Sequence, residues 1–299
     1  MKAKTIAIQS PGDMGHAIGR DLIARGFRVV TCLAGRSERS IGLARAGGLE
    51  VLDDLDTLVS EAALVLSIVP PSVAESVAKS VFEAMERTNQ FPTYADCNAI
   101  APRTAQQIAR IFEGSACPFV DAGIIGLAPG KSDQPTRFYC AGPDTSAMEA
   151  LDGGGMSVTT LSTSIGDASA MKMIYAAVTK GTMTLHAMAL TAAKLHGLSD
   201  AYAAEAAASQ ANAWAAMNRM VPRLPLDAGR WVGEMHEIAA FFADSGLPED
   251  FHLGAAKMFE LLDKTPIAAE TRETVNESRT LDQALQMYAD VTIAERESP

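Results

Sequence analysis

The 299-residue chain predicts an α/β domain with a mostly parallel sheet followed by an all-helical domain, and three observations predict it. Short β-branched runs alternate with helical stretches through the first half, the pattern of parallel strands joined by crossover helices. From about Ile165 the runs give way to long stretches rich in Ala, Met and Leu, the composition and period of helices. A glycine-bearing turn directly follows the first run. The boundary is expected between Ser162 and Ile165, giving domains 1–163 and 164–299.

Strands are expected at residues 6–9, 29–33, 64–69, 93–96, 119–122, 138–141 and 158–161, each a short apolar run bounded by polar or turn residues. The helical half is punctuated at Gly197, around Pro222 and Pro225, and at Gly246-Leu-Pro248. Trp231, Met235, Ile238 and Phe242 recur at helical spacing and make one apolar face. Arg230, Glu234 and Glu237 share another face, where an Arg-to-Glu pair is a surface bridge of about 0.3–0.5 kcal/mol. Glu234 is also a candidate substrate contact.

A hydrophobic fraction of 48% suffices for a sizeable core, and the net charge of −11 makes nucleic acid or an anionic membrane surface an unexpected partner. An anionic ligand has to be met by a local basic cluster. The N-terminal apolar stretch is too brief for a signal-peptide core and no run reaches membrane-spanning length, so a cytoplasmic location is expected. Cys32, Cys97, Cys117 and Cys140 sit singly in apolar contexts, as reduced core thiols. No His, Cys and carboxylate spacing points to a metal.

The first strand leads into Ser10-Pro11-Gly12-Asp13-Met14-Gly15-His16-Ala17-Ile18-Gly19, which matches the dinucleotide fingerprint G-x-G-x-x-G with Ser10 in the first glycine position. Gly12 would let backbone approach a pyrophosphate and Gly15 would let helix and strand pack closely. The helix N-terminus would supply donors and a positive dipole. A plain strand-to-helix turn is the competing reading of the same residues. After the second strand, where an acidic residue would bind the ribose of NAD, the chain reads Gly35-Arg36-Ser37-Glu38-Arg39-Ser40. Arg36 can stack on adenine and pair with a 2′-phosphate, Ser37 can donate its hydroxyl and Arg39 adds a second cation, which favours NADP over NAD. Glu38 either neutralises one arginine or points away.

Asn98, just past the fifth expected strand, stands at the sheet's carboxyl edge, where ligands of such sheets gather; it is a candidate cofactor contact or a turn-forming residue. Further on, Lys172 falls in a run of small and apolar residues from Gly166 to Gly181 that is expected to open a buried helix. An ammonium there costs desolvation unless it meets a partner or snorkels to solvent. A desolvated lysine can remove a hydroxyl proton while the carbinol carbon gives its hydride to nicotinamide, and can return the proton in reverse. Tyr175, at i+3, either shares that face as a proton donor or packs.

Together these motifs resemble the β-hydroxyacid dehydrogenase and 6-phosphogluconate dehydrogenase superfamily, and the resemblance runs across nearly the whole chain. The glycine loop corresponds to Ser10 through Gly15, with Met14 at the family's Met, and the NADP-type Asn-Arg-Ser/Thr element to Gly35-Arg36-Ser37. The family's hydrophobic-Pro end of strand four appears as Ser67-Ile-Val69-Pro70-Pro71, and its Asp-x-Ser-Thr-x-x-Pro stretch as Asp96-Cys-Asn98-Ala99-Ile-Ala-Pro102. Its Asp-Ala-Pro-Val-Ser-Gly-Gly stretch appears as Asp121-Ala-Gly123-Ile124-Ile125-Gly126-Leu127, with Ile125 where the family places a substrate-binding Ser. The Gly-x-x-x-x-x-Lys-x-x-x-Asn signature appears with Lys172 at the lysine and Ala176 at the Asn.

The resemblance implies a Rossmann-type NADP domain joined by a long interdomain helix to an all-α domain that completes the cleft and forms a homodimer interface. It implies Val69, Pro70 and Asn98 near the cofactor, residues 123–126 near a small-molecule substrate and Lys172 as acid/base. With Gly229-Arg-Trp-Val-Gly-Glu-Met-His-Glu237, it points to the branch whose C-terminal domain was long catalogued as of unknown function. The expected reaction is hydride transfer to or from a hydroxyacid or related secondary alcohol. The alternatives are C=N reduction, as in imine reductases, and NADP sensing without turnover. Ile125 and Leu127, with Trp231 nearby, suggest an apolar wall and a bulkier substrate.

Overall fold

A computed structural model describes residues 5–9 and 11–297, so Ser10 lies outside the described residues. Contacts divide the chain into two compact units, Met1–Met173 and Ile174–Pro299.

In the first unit, β1 (Thr5–Gln9), β2 (Arg28–Cys32), β3 (Glu50–Leu52), β4 (Leu64–Ser67), β5 (Thr93–Asp96), β6 (Phe119–Ile125), β7 (Thr136–Ala141) and β8 (Met156–Ser162) form one sheet. The order is β3-β2-β1-β4-β5-β6-β7-β8, and every neighbouring pair is parallel except β6 and β7. The connecting helices are α1 (Asp13–Ala24), α2 (Glu38–Ala46), α3 (Leu55–Glu61), α4 (Ala74–Thr88), α5 (Pro102–Ala109) and α6 (Ser146–Glu149). All seven expected strands are present. The additional one, β3, is a three-residue edge strand whose Glu50 and Val51 are exposed, so no buried apolar run announces it.

Successive strand residues point to opposite faces, and this sorts the sheet's side chains into two cores. On one face Ala7, Val65, Tyr94 and Phe119 pack with Val81, Ile108 and Phe112, and the Tyr94 and Phe112 rings stack at 4.7 Å. On the other, Ile8, Leu66, Val120 and Phe138 pack against Ile18 and Leu22 of α1. Each such side chain contributes roughly 1.5–3 kcal/mol on burial. Two residues beyond the first core, on the same face, the strands place Gln9, Ser67, Asp96 and Asp121 side by side at the carboxyl edge. That polar row is buried.

Helix α7 (Asp167–Leu195) begins in the first unit and continues into the second. The change of pattern at 163 marks where strands stop; the division falls ten residues later because the first turns of α7 are tied to β6. The sequence predicts a buried helix, and here the structure differs. Ile174 and Val178 are 51% and 67% exposed, and Leu185 and Met188 are exposed as well, because α7 packs on one side only.

The second unit comprises the rest of α7 with α8 (Ser199–Ser209), α9 (Ala211–Met220), α10 (Pro225–Asp244), α11 (Asp250–Asp263) and α12 (Leu281–Glu297). Trp231 meets Phe259 edge to face at 5.3 Å and Phe242 stacks on His252 at 5.1 Å, so α10 and α11 run antiparallel. The face expected from Trp231, Met235, Ile238 and Phe242 is the one that packs, with Met235 and Ile238 fully buried.

Candidate active site

Gly12 caps α1 with extended backbone, and a Cβ built there would meet nothing within 4 Å. Space is therefore open before the first turn, whose N–H groups on Asp13, Met14 and Gly15 have no intrahelical acceptor. Donors, dipole and the missing side chain together fit a pyrophosphate. Gly15 is buried and Met14 packs on the core beside α1. Close helix-to-sheet approach is also required at Gly19, where a Cβ would sit 2.7 Å from Leu49 Cδ1 and 3.3 Å from Ile8 Cδ1. The fingerprint points to Gly15 for that packing, and Gly19 shares it.

After β2, Gly35 takes φ +71° and the Arg36 N–H donates to Leu33 O at 3.0 Å, turning the chain into α2. Ser37 caps α2 by accepting from the Ser40 N–H at 3.3 Å, with the two hydroxyls 3.2 Å apart. Its hydroxyl thus already has local work. Arg36 is half-buried and makes no ion pair among the described residues. Glu38 neutralises neither arginine; the carboxylate on Arg39 is Asp13, whose Oδ1 accepts from Arg39 Nη2 at 2.7 Å.

At the carboxyl edge, Asn98 Oδ1 accepts from the Val69 N–H at 2.6 Å, Asn98 Nδ2 donates to Ser67 Oγ at 3.2 Å, and the Asn98 N–H donates to Asp96 Oδ1 at 3.0 Å. Asn98 is therefore a buried brace that fixes the turn leading to the exposed Pro70, with both ends of its amide engaged. Asp96 is 1% exposed, and burial pushes its carboxyl up to about 7, with the Asp121 charge adding to the rise. Asp96 Oδ2 and Gln9 Nε2 find no hydrogen-bond partner among the described residues.

Asp121 has a role that its sequence context does not announce. Its Oδ2 accepts from the N–H groups of Gly166 and Ser169 at 2.9 and 3.0 Å, and its Oδ1 accepts from Ser169 Oγ at 2.6 Å. A carboxylate on β6 thus caps the N-terminus of α7. Burial still raises its pKa, against these bonds. Beside it, a Cβ on Gly123 would stand 2.8 Å from Ala168 O and 3.0 Å from Lys172 Cβ. Gly123 is there so that α7 can lie on β6. Lys172, half-buried, then donates from Nζ to Ile124 O at 2.6 Å.

The expected apolar wall needs correction. The Ile124 side chain is part of the core beside α1 and only its carbonyl turns to Lys172. Ile125 is buried while Leu127 is exposed, so the two do not form one surface. Gly126 takes φ +112°, which a side chain would strain. Tyr175, 41% exposed, follows Lys172 one turn on.

In the second unit Glu234 is 5% exposed and ion-paired with the buried Lys180 of α7, whose ammonium lies 5.5 Å from the centre of the Trp231 ring. Arg230 reaches Glu234 at 3.9 Å and also pairs with Asp227. The helical face read as a surface bridge is thus the margin of a buried pair. A second lysine in the small-residue run of α7 was the available signal. A depression lined by Ile6, Phe27, Leu64 and Thr93 opens at the opposite, amino edge of the sheet, and no charged group lines it among the described residues.

Two family models match the sequence. Residues 5–152 match the NAD binding domain of 6-phosphogluconate dehydrogenase, and residues 193–262 match a domain of unknown function, DUF1932. An uncharacterized 28.5 kDa protein in the 7S RNA 5′ region of Methanothermus fervidus is 28% identical over 172 residues, 58% of this chain and 64% of that one. The chain thus spans less than two thirds of that relative's length. A solved structure of a conserved protein of unknown function, described as structurally similar to 3-hydroxyacid dehydrogenases, is 27% identical, with 87% of this chain and 96% of that one covered and a TM-score of 0.63. The fold is shared with a 3-hydroxyisobutyrate dehydrogenase from Salmonella typhimurium, at 16% identity, 97% and 99% coverage and a TM-score of 0.68. It is also shared with an imine reductase from Streptomyces aurantiacus, at 18% identity, 95% and 99% coverage and a TM-score of 0.52. With its glycine turn at the carboxyl edge, the first unit is an NAD(P)-binding domain. The chain belongs to the 6-phosphogluconate dehydrogenase-like superfamily, in the branch that carries the DUF1932 domain after the NAD-binding domain.

Proposed function

We propose that the chain is an NADP-dependent oxidoreductase that transfers a hydride between nicotinamide and a hydroxyacid or related secondary alcohol, with Lys172 as general acid and base. The observation that carries this reading is the anchored lysine. Lys172 Nζ is held on Ile124 O at 2.6 Å, at the carboxyl end of β6 in the sheet that carries the glycine turn. The nicotinamide, when bound, supplies the hydride acceptor. The protein has to take the hydroxyl proton as the carbinol becomes a carbonyl. An amine that keeps one N–H on a backbone carbonyl can receive that proton without losing its position. In reverse the ammonium returns the proton to the carbonyl oxygen.

Preference for NADP is supported by Arg36, a half-buried guanidinium beside the α2 cap without a carboxylate partner among the described residues. The exposed apolar stripe of α7, with Ile174, Val178, Leu185, Met188 and Leu195 at helical spacing, supports a homodimer formed through the helical domain. No helix among the described residues is long and apolar enough to cross a membrane. Work on a small molecule in the cytoplasm is the setting we propose.

One set of measurements tests the reading: fluorescence titration with NADPH and NADH, then a panel of hydroxyacids and secondary alcohols with wild type and Lys172→Met. NADPH is expected to bind more tightly than NADH. Lys172→Met is expected to lose turnover by about 10²–10⁴-fold while NADPH affinity stays within about twofold. Full turnover in that variant, or tighter NADH, overturns the assignment; turnover of cyclic imines alone moves it to C=N reduction.

A further inference from the structure

The Asp13–Arg39 pair has no place in the binding scheme above. Asp13 is the first residue of α1, inside the turn that would hold the pyrophosphate, and Arg39 is in the first turn of α2, beyond the arginine turn. Their side chains close the distance between the two loops, Oδ1 to Nη2 at 2.7 Å, both about half exposed. Because β1 and β2 are adjacent and parallel, the two loops leave the same edge of the sheet as neighbours. The arginine that composition assigns to a 2′-phosphate is thus held by a carboxylate on the neighbouring loop, while Arg36 is not.

We propose that Asp13 competes with the 2′-phosphate of NADP for Arg39 and so sets how strongly the protein prefers NADP over NAD. The inference rests on the NADP reading. A guanidinium shared with Asp13 has fewer donors and less net charge to offer a phosphate. NAD has no 2′-phosphate and does not engage Arg39, so the competition does not touch it. Asp13 also places a negative charge near any dinucleotide; its repulsion of the pyrophosphate acts on NAD and NADP alike, and its direct repulsion of the 2′-phosphate persists when Arg39 is removed. The change in the ratio of the two affinities, compared with and without Arg39, therefore isolates the competition.

The experiment is a double-mutant cycle of Asp13→Asn and Arg39→Ala in the full chain, read by the fluorescence of bound NADPH and NADH, with thermal melts to confirm folding. Asp13→Asn is expected to raise the NADPH-over-NADH affinity ratio by up to about fivefold, the scale of an exposed ion pair. In the Arg39→Ala background the same change is expected to raise the ratio by clearly less. An equal gain for both cofactors, no gain, or the same gain without Arg39 overturns the competition. If wild type fails to bind NADPH, the NADP reading itself falls. Bound NADPH with an uncoupled cycle refutes only the role of Asp13.

Discussion

Replacing Gly123 by Ala should impair the protein through geometry alone. The added Cβ would lie 2.8 Å from Ala168 O and 3.0 Å from Lys172 Cβ, where ordinary contact needs about 3.5 Å. Neither neighbour can turn away. One is backbone of α7 and the other is the root of the Lys172 side chain, and Gly123 is itself hydrogen-bonded within β6 between β5 and β7. Helix α7 therefore has to rise by roughly half an ångström, against the Asp121 cap that holds its first turn. Overpacking of this kind costs about 1–3 kcal/mol. For a unit of this size that is a fall in Tm of roughly 2–12 °C. The same displacement moves Lys172 from its place at Ile124 O, and because errors near 1 Å cost about 10²-fold, a loss in kcat of about tenfold is expected. NADPH affinity should stay within about twofold, since the glycine turn is on another strand. Thermal melts, cofactor titration and steady-state kinetics on one preparation read all three. A variant with wild-type Tm and kcat would refute the claim that Gly123 exists to seat α7.

Two further outcomes follow from buried charge. Burial pushes the Asp96 carboxyl up to about 7, above its unfolded value of about 3.9, so its contribution to stability is full below pH 4 and lost as pH rises through about 7. Asp96→Asn, which keeps an oxygen for the Asn98 N–H, should match wild type near pH 4 and exceed it at pH 8 by up to about 4 kcal/mol; a variant equally destabilised at both pH values counts against this. Lys180→Met removes the buried cation paired with Glu234 and should cost about 3–5 kcal/mol, while Lys180→Met with Glu234→Leu should recover most of it. Equal Tm values for the single and double variants would show that the pair is not what matters.

Much of the fold is legible in the sequence because the strands of a parallel sheet announce themselves as short apolar runs, and because Gly197, Pro222, Pro225 and Gly246 punctuate the helices. The exception, β3, is an exposed edge strand with no such run. Glycines and charges at the site could be located but not given partners. Local spacing puts Glu234 on a face with Arg230 and Glu237, yet its main partner is Lys180, 54 residues away on another helix. In the same way Arg39 finds Asp13 across 26 residues, and Asn98 is taken up by Val69 and Ser67 across 29 and 31. Such pairings are set by strand order and register, which no periodicity encodes. Gly123 could be aligned with a family motif, but its reason, the passage of α7 over β6, is visible only once both elements are placed.

The division of the chain inside α7 has a consequence for how proteins of this build can diversify. Lys172 lies on the near side of that division, secured to β6 by Asp121, Gly123 and Ile124 O, while the rest of α7 and α8 to α12 lie beyond it. The proposed base therefore travels with the nucleotide-binding half. A helical half exchanged after Met173 would leave Lys172 on the strand that holds it, whereas an exchange at residue 163, where the composition changes, would separate the lysine from that strand. The seam visible in the amino-acid usage and the seam along which a working chimera can be cut are different places.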